Sequence, residues 1–324
     1  MNNANQSVDT TGTLLVAMAA MLFATKGIFA KELYARGVSV EALVTIRAVL
    51  ALPLFWWFAL RREGWAVLRN TPPRAVLMAA LVGMLCYYVG AMLDFIALTM
   101  IAASIERVLI FSYPAMVVLF VAVRERKRPK PAVLAALALT YVGIFFTMGG
   151  FDFEQLRANW FGALLVIGSA LTYAIYFMVS EKFTREIGSS RFALIAMTAA
   201  PLCLVPHFLV TREVGELAAI ESGAWLLLAL LAVLCMFLPA LFQAEGVRRI
   251  GAQRGAVLST VGPPTTVLLA WLLLDERLIA WQWLGVALIV AGILALDLER
   301  SRKTPLSPES RPDHLPTVAD EMRK

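Results

Sequence analysis

Residues Ile101–Pro114 read IAASIERVLIFSYP, and residues Ile250–Pro263 read IGAQRGAVLSTVGP. The two stretches share isoleucine, alanine, valine, leucine and proline at the same relative positions, 149 residues apart. Apolar identities alone arise easily in a hydrophobic chain, whereas a shared proline at an offset of about half the chain does not. The pattern predicts an internal duplication.

The duplication extends beyond these stretches. Gly143 meets Gly292 at the same offset, and Gly12 meets Gly162 at an offset of 150. Each half holds five apolar blocks, and an odd number of spans forces the second half to enter the membrane upside down. Inverted repeats are a common transporter architecture, with the solute site near mid-membrane between the repeats. The alternative is a membrane scaffold or enzyme that duplicated for stability.

The amino-acid composition predicts a membrane protein. Hydrophobic residues make up 60% of its 324 positions and charged residues 16%, and the mean hydropathy is +0.74. A soluble domain has roughly 45–50% apolar and about 25% charged residues. The apolar excess is too large for one soluble core, so we expect an all-α integral membrane protein.

The apolar residues form ten blocks, each near the roughly 20 residues that a spanning helix needs. No ten-residue segment alternates with a period of two, which disfavours a β-barrel. The blocks are Thr13–Tyr34, Val40–Leu60, Ala75–Leu98, Ala102–Val123, Ala132–Gly149, Trp160–Ser180, Phe192–Val210, Trp225–Gln243, Ala256–Leu274 and Trp281–Leu298. We therefore predict a polar tail over 1–11, five-helix repeats over 12–150 and 151–299, and a disordered cytoplasmic tail over 300–324.

The distribution of basic residues predicts the orientation. With a cytoplasmic amino terminus, the inner loops hold fifteen Lys and Arg residues and the outer loops five. Inner loops of membrane proteins are enriched in such residues. We expect both termini in the cytoplasm of a bacterial cell and the protein in its inner membrane. The net charge of +6 then reflects topology, and we expect no nucleic-acid partner.

A further set of motifs resembles a known family. In the first half these are Ala97-Leu-Thr-Met-Ile-Ala-Ala-Ser and Tyr113-Pro114; in the second they are Gly246-Val-Arg-Arg-Ile-Gly-Ala-Gln, Pro263-Pro264, Asp275-Glu276-Arg277-Leu278, Trp283-Leu284-Gly285 and Ala291-Gly292-Ile293. Over residues 12–298 the chain resembles the drug/metabolite transporter superfamily of the EamA type. The first half departs from the pattern with Arg124-Glu125-Arg126. The resemblance implies ten spans, and the chain is similar to bacterial exporters of aromatic amino acids and threonine.

Lys26 interrupts the first apolar block. A charge at the bilayer centre costs about 3 kcal/mol, so such a residue faces a cavity, finds a partner or has a function. Lys26 lies about fourteen residues into the block, roughly 20 Å from the cytoplasmic end and beyond the midplane. We predict that it binds a carboxylate of the solute. The alternative is a lysine whose ammonium reaches outward along the cavity wall.

Four more polar residues are candidates for gating or coupling: Arg47, Asp94, Glu106 and Gln243. Arg47 is predicted at about the depth of Lys26, or else it binds backbone carbonyls. Asp94 is predicted to end the third helix just before a short outer hairpin, where it could instead cap a helix. This hairpin, near Ala97–Ala103, and its inner counterpart near Gly246–Ala252 are the predicted gates. Glu106 begins the fourth helix; it either carries a proton or complements the helix dipole.

Helical spacing places tyrosines beside small or hydroxyl residues on shared faces. Tyr87 lies with Gly83, Gly90 and Asp94, while Tyr173 and Tyr176 lie with Ser169 and Ser180. Small residues in a row also serve close helix packing. We predict that Tyr87, Tyr113, Tyr173 and Tyr176 bind the solute.

Other functions lack the residues they need. We find no P-loop and expect no ATPase subunit, metal or cofactor; the three single cysteines form no CxxC pair. Small multidrug exporters of the same superfamily use a membrane-embedded glutamate, whereas the first block here has a lysine.

We expect alternating-access export of neutral or aromatic amino acids or related metabolites. The alternatives are drug or other metabolite efflux by the same fold and, from another class, a membrane enzyme or scaffold.

Overall fold

The computed structural model describes residues 10–64, 71–113, 116–117, 119–120, 123, 126, 131–147, 150–242 and 262–301. Within these ranges the chain is helical and contains no β-strand. The predicted inner hairpin Gly246–Ala252, the residue Gln243, and most of both predicted tails lie outside the described residues.

Thirteen α-helices and two π-helical segments are described. They are α1 Thr10–Ala24, α2 Lys26–Ala35, α3 Val40–Glu63, α4 Pro73–Met84, π1 Leu85–Gly90, α5 Ala91–Met100, α6 Ala103–Ile110, α7 Pro131–Thr147, α8 Phe153–Ile187, α9 Ser189–Thr211, α10 Gly215–Ala219, α11 Ser222–Ala232, π2 Val233–Phe237, α12 Gly262–Leu274 and α13 Ala280–Ser301. Each of the ten predicted apolar blocks therefore contains helix.

Six helical stretches in the described part are long and apolar enough to cross a membrane: Thr10–Ala35, Val40–Arg61, Pro73–Met100, Arg157–Ser180, Ser190–Thr211 and Ser222–Phe242. Two shorter apolar helices cover Thr265–Leu274 and Ala280–Gly292. Large side chains such as Leu77, Leu202 and Leu226 are more than half exposed, as expected of lipid-facing positions. The protein is an all-helical, multi-pass membrane protein; the count of ten spans and the direction of the termini stay predictions.

Irregular backbone occurs at matching places in the two halves. The π segments π1 and π2 interrupt the third and eighth predicted spans. Arg126 and Asp275, 149 residues apart, both have a φ of 52°, a left-handed conformation uncommon for residues with a side chain. The duplication seen in the sequence therefore has a counterpart in local backbone geometry.

Helix contacts follow the same duplication. Helix α6 packs on α8 as α12 packs on α1, and α4 packs on α9 as α11 packs on α3. The pairs α3 with α9, α6 with α12, and α7 with α13 join equivalent helices of the two halves. This is the pattern that two related halves packed against each other would give.

The helices α7 and α13 approach closely through small residues. A Cβ atom on Gly143 would lie 2.8 Å from the Ile289 nitrogen and 2.9 Å from the Gly285 oxygen. Small residues let membrane helices pack backbone to backbone, because lipid supplies little hydrophobic drive for association. This contact joins the fifth and tenth predicted spans.

Two boundary predictions are corrected. Asp94 does not end a helix, because α5 continues for six more residues to Met100. The predicted outer hairpin Ala97–Ala103 is reduced to Ile101 and Ala102, since α6 begins at Ala103. The apolar run continues unbroken through Asp94 with no glycine or proline, so the chain has no local reason to leave the helix there.

Candidate functional site

The first span is interrupted next to its lysine. Thr25 separates α1 from α2, and its backbone nitrogen donates to the Leu22 carbonyl at 3.1 Å. The Thr25 hydroxyl also donates to the Leu22 carbonyl, at 2.7 Å, and lies 3.2 Å from the Cys235 sulfur in π2. Helix interruptions and π segments occur frequently at functional sites. Lys26 is the first residue after the interruption.

Lys26 binds two carboxylates. Its ammonium donates to Asp94 Oδ2 and, at 3.1 Å, to Glu106 Oε1. The side chain of Lys26 is 12% exposed, that of Asp94 5% and that of Glu106 1%. We call these three residues the Lys26 triad. A buried ion needs such partners, because an uncompensated charge in a low-dielectric interior is strongly unfavourable.

Two arginines lie beside the triad. The Arg47 guanidinium carbon is 4.2 Å from the centre of the Phe95 ring, and the Lys26 nitrogen is 5.4 Å from the same ring. Arg107 follows Glu106 in α6 and stacks on Phe111 at 5.3 Å. Both arginines are less than 10% exposed, and the Nε atom of each has no hydrogen-bond partner among the described residues.

The five charged groups form a mixed site. Three are cations and two are carboxylates, so the formal charge is +1 when all are ionised. Asp94 Oδ1 and Glu106 Oε2 are buried with no hydrogen-bond partner in the described part of the chain. A buried polar atom without a partner costs about 1–3 kcal/mol. The site thus offers both unused acceptors and unused donors, which suits a ligand carrying both charges.

The predicted tyrosines pair across the two halves. Tyr87 and Tyr176 pack edge to face with ring centres 5.3 Å apart, and Tyr113 and Tyr173 lie 6.2 Å apart. All four are half-buried. The ring centre of Tyr113 lies 6.3 Å from that of Phe111, on which Arg107 stacks, so this pair adjoins the charged site. These tyrosines form an aromatic wall at the interface between the halves.

The structure therefore gathers most of the residues singled out in the sequence. Lys26, Asp94 and Glu106 are in direct contact, and Arg47 joins them through Phe95. Tyr113 reaches Arg107 through Phe111, and Tyr173 packs near Tyr113. Asp94 binds Lys26 and does not cap a helix, so the alternative role predicted for it is wrong. Gln243 lies outside the described residues.

Sequence reasoning gave no role to Arg107 or Glu276. Glu276 accepts hydrogen bonds from the Ala103 nitrogen at 2.9 Å, the Ser104 nitrogen at 3.1 Å and the Ser104 hydroxyl at 2.9 Å. It thus caps the first turn of α6, which carries Glu106. The sequence signal for Arg107 was that it is a second charge in an apolar block. The signal for Glu276 was that it belongs to the family motif.

A separate cavity of about 470 Å³ is lined by apolar residues alone: Leu93, Met116, Leu119, Phe120, Leu164, Leu165, Ile167, Gly168 and Leu171. Leu119, Leu164 and Leu171 belong to the exposed hydrophobic surface. Since no charged or tyrosine side chain among the described residues lines this cavity, we assign it to the lipid-facing side and not to the solute path.

Comparison with known proteins gives consistent matches. The EamA-like transporter family matches residues 10–149 and again residues 160–296. The uncharacterized transporter YcbK of Bacillus subtilis is 32% identical over 303 residues, covering 90% of this chain and 95% of that protein. The uncharacterized inner membrane transporter YicL of Salmonella typhimurium is 24% identical, covering 90% of this chain and 97% of that protein.

A solved crystal structure has the same fold, with a TM-score of 0.63 at 19% identity over 92% of this chain and all of the other. At that identity the likeness concerns the fold alone. The relatives are named as transporters and not as enzymes, and the family match covers both halves of the sequence duplication. The chain belongs to the EamA-like transporter family.

Proposed function

We propose that this protein exports neutral or aromatic amino acids, or related zwitterionic metabolites, across the bacterial inner membrane. Both termini face the cytoplasm in this proposal, and the solute crosses by alternating access. The observation that carries the proposal is the Lys26 triad, a buried lysine that binds two carboxylates beside tyrosines contributed by both halves.

A zwitterion can enter the triad without upsetting its charge balance. The carboxylate of the solute replaces a protein carboxylate at the Lys26 ammonium. The ammonium of the solute then binds the protein carboxylate that has been released, which is Asp94 or Glu106. An amine alone or an acid alone would leave one buried group without its partner, which costs several kcal/mol for a charge. The triad therefore favours solutes that carry both groups.

The tyrosines receive the solute's side chain. Tyr113 and Tyr173 lie next to the charged site, and Tyr87 with Tyr176 extends the aromatic surface. Aromatic rings pack against each other in offset or edge-on geometry, each pair contributing roughly 0.5–1.5 kcal/mol beyond area burial. This wall supports a preference for aromatic and other apolar side chains.

Alternating access follows from movement of one half against the other. The tyrosine pairs cross between the halves, so their packing must change when the site opens. Asp94, Glu106 and Arg47 move with helices of the first half and take the gating or coupling role. Gln243, at the predicted inner end of the eighth span, is proposed as part of the inner gate.

The proposal is tested by uptake into liposomes that contain the purified protein. The probes are labelled neutral, aromatic, acidic and basic amino acids, each with and without a pH gradient. Saturable uptake of neutral or aromatic amino acids, absent from empty liposomes, is the expected result. Transport of none of them by folded protein would contradict it.

The same assay with two lysine variants tests whether Lys26 contributes to solute binding. Lys26→Gln should lower uptake at least about tenfold, since loss of one charged hydrogen bond to a ligand is worth about 1.5–3 kcal/mol. The matched control is Lys182→Gln, which changes an exposed lysine of α8. Equal uptake by the two variants would remove Lys26 from the site.

Efflux of drugs or other metabolites is the second candidate function, favoured by the aromatic wall. It predicts a different substrate range: hydrophobic cations and aromatic amines would be carried as well as amino acids. In the liposome assay those compounds would then compete with a labelled amino acid at similar concentrations, and Lys26→Gln would leave their transport unchanged.

A further inference from the structure

Helix α6 has no cap of its own. Its N-cap residue is Ala102, whose side chain has no polar group to bind the exposed backbone nitrogens of the first turn. The first backbone N–H groups of any helix lack partners inside that helix. In the membrane, where water is scarce, such groups need a partner from elsewhere in the protein.

The partner is Glu276, from the other half of the chain. Its two carboxylate oxygens accept the backbone N–H groups of Ala103 and Ser104 and the Ser104 hydroxyl, at 2.9–3.1 Å. Glu276 lies in the short link between α12 and α13. A carboxylate at a helix N-terminus also interacts favourably with the helix dipole. The cap is therefore a bond between the two halves.

The capped turn is coupled directly to the solute site. Glu106 lies in the same turn of α6 and binds Lys26. Gly27, the next residue after Lys26, packs so closely that a Cβ atom there would lie 2.9 Å from the Ala103 Cβ atom. Helix α2, the start of α6 and Glu276 thus meet at one point, and a displacement of α6 would move a member of the Lys26 triad.

The same end of the bundle carries other links between the halves. Arg212, after α9, binds Glu41 in the first turn of α3 at 3.0 Å. Arg36, after α2, lies 3.8 Å from Glu221. These exposed ion pairs contribute little individually, roughly 0–1 kcal/mol each. The cap by Glu276 is half-buried and makes three hydrogen bonds.

We propose that Glu276 is the latch of the outer gate. While Glu276 caps α6, the predicted outer end is closed and Glu106 is held against Lys26; when the halves part, the carboxylate leaves the helix and the site opens outward. Glu276 is a positioning residue in this scheme, and it does not contact the solute. The inference rests on alternating access in the proposed function and is independent of the solute's identity.

The test measures opening without any solute. Cys235 is 2% exposed and lies against Thr25, beside the triad. In a Cys86→Ser, Cys203→Ser background it is the single thiol, and a membrane-impermeant thiol reagent is applied from the outside of intact cells. Glu276→Ala should raise the labelling rate about five- to thirtyfold, the shift in population expected when a charged cap is lost. The matched control, Asp275→Asn, changes the neighbouring exposed carboxylate, which pairs with Arg277 two residues away, and should label like the parent.

Each outcome bears on the latch. Faster labelling in Glu276→Ala with normal labelling in Asp275→Asn supports it, and an unchanged rate in folded Glu276→Ala overturns it. Equal acceleration in both variants indicates general loosening and also overturns it. If Glu276→Ala does not fold, Ser104→Ala removes one of the three bonds and should accelerate labelling about two- to tenfold; an unchanged rate there contradicts the latch. Labelling that responds as expected while no amino acid is transported would leave the latch standing and reject the solute proposal.

Discussion

Lys26 balances two carboxylates, so removing it should harm stability more than removing either partner. In Lys26→Met, Asp94 and Glu106 remain buried without their cation, and breaking a buried pair in this way costs about 3–5 kcal/mol. Thermal unfolding of the purified protein in detergent measures the loss. The double variant Lys26→Met, Glu106→Gln should recover part of it, because the carboxylate that lost its lysine partner is then replaced by a neutral amide. Additive losses in the double variant would show that the two groups do not interact.

Glu106 is the candidate for proton coupling. Asp94 and Glu106 bind the same ammonium, and two carboxylates held so close repel each other, so one of them can carry a proton when no solute is bound. We predict that Glu106→Gln retains exchange of solute for solute but loses the response of net uptake to a pH gradient. Paired exchange and gradient measurements in the same liposomes check this. A gradient response equal to that of the unchanged protein would exclude Glu106 as the carrier.

At the residue scale the sequence predicted the members of the site better than their contacts. Lys26, Arg47 and Glu106 were identifiable because a charge in an apolar block requires an explanation. The pairing was not predictable, since Lys26 is 68 residues from Asp94 and 80 from Glu106. Glu276 was missed because its role depends on a helix terminus 173 residues away.

At the scale of elements, the contact of α7 with α13 depends on small residues. Gly143→Ala places a methyl group 2.8 Å from the Ile289 nitrogen, a distance that backbone atoms cannot tolerate without shifting. We expect a loss of about 1–3 kcal/mol in stability, the usual cost of overpacking, measured as a lowered unfolding temperature. Gly215→Ala is the matched control, because nothing lies within 4 Å of a Cβ atom there. Equal unfolding temperatures for the two variants would contradict the close packing.

The positions of the helices followed from apolar blocks, whereas their interruptions did not. Every predicted block contains helix in the structure. Neither π segment contains a proline, and neither does the interruption at Thr25; the one glycine among them is Gly90, the last residue of π1. One extra residue in a helical turn leaves the apolar pattern almost unchanged, so composition and spacing cannot locate it.

At the scale of the whole molecule, duplication explains both the fold and the place of the site. The repeated prolines and glycines predicted two related halves, and the paired helix contacts have the symmetry that such halves require. The tyrosine pairs and the cap of α6 join one half to the other. Which groups meet across this interface depends on packing between distant segments, and no pattern within one half encodes it.

The most direct test of the account compares three ligands of one shape in the liposome assay. Phenylalanine carries both charges, phenethylamine lacks the carboxylate and 3-phenylpropionate lacks the ammonium. Each is added as a competitor of labelled phenylalanine uptake. The account predicts competition by phenylalanine at least about tenfold stronger than by either analogue, because each analogue leaves one buried charge of the Lys26 triad unpaired. Equal competition by phenethylamine would contradict the zwitterion site and favour the efflux of amines and drugs.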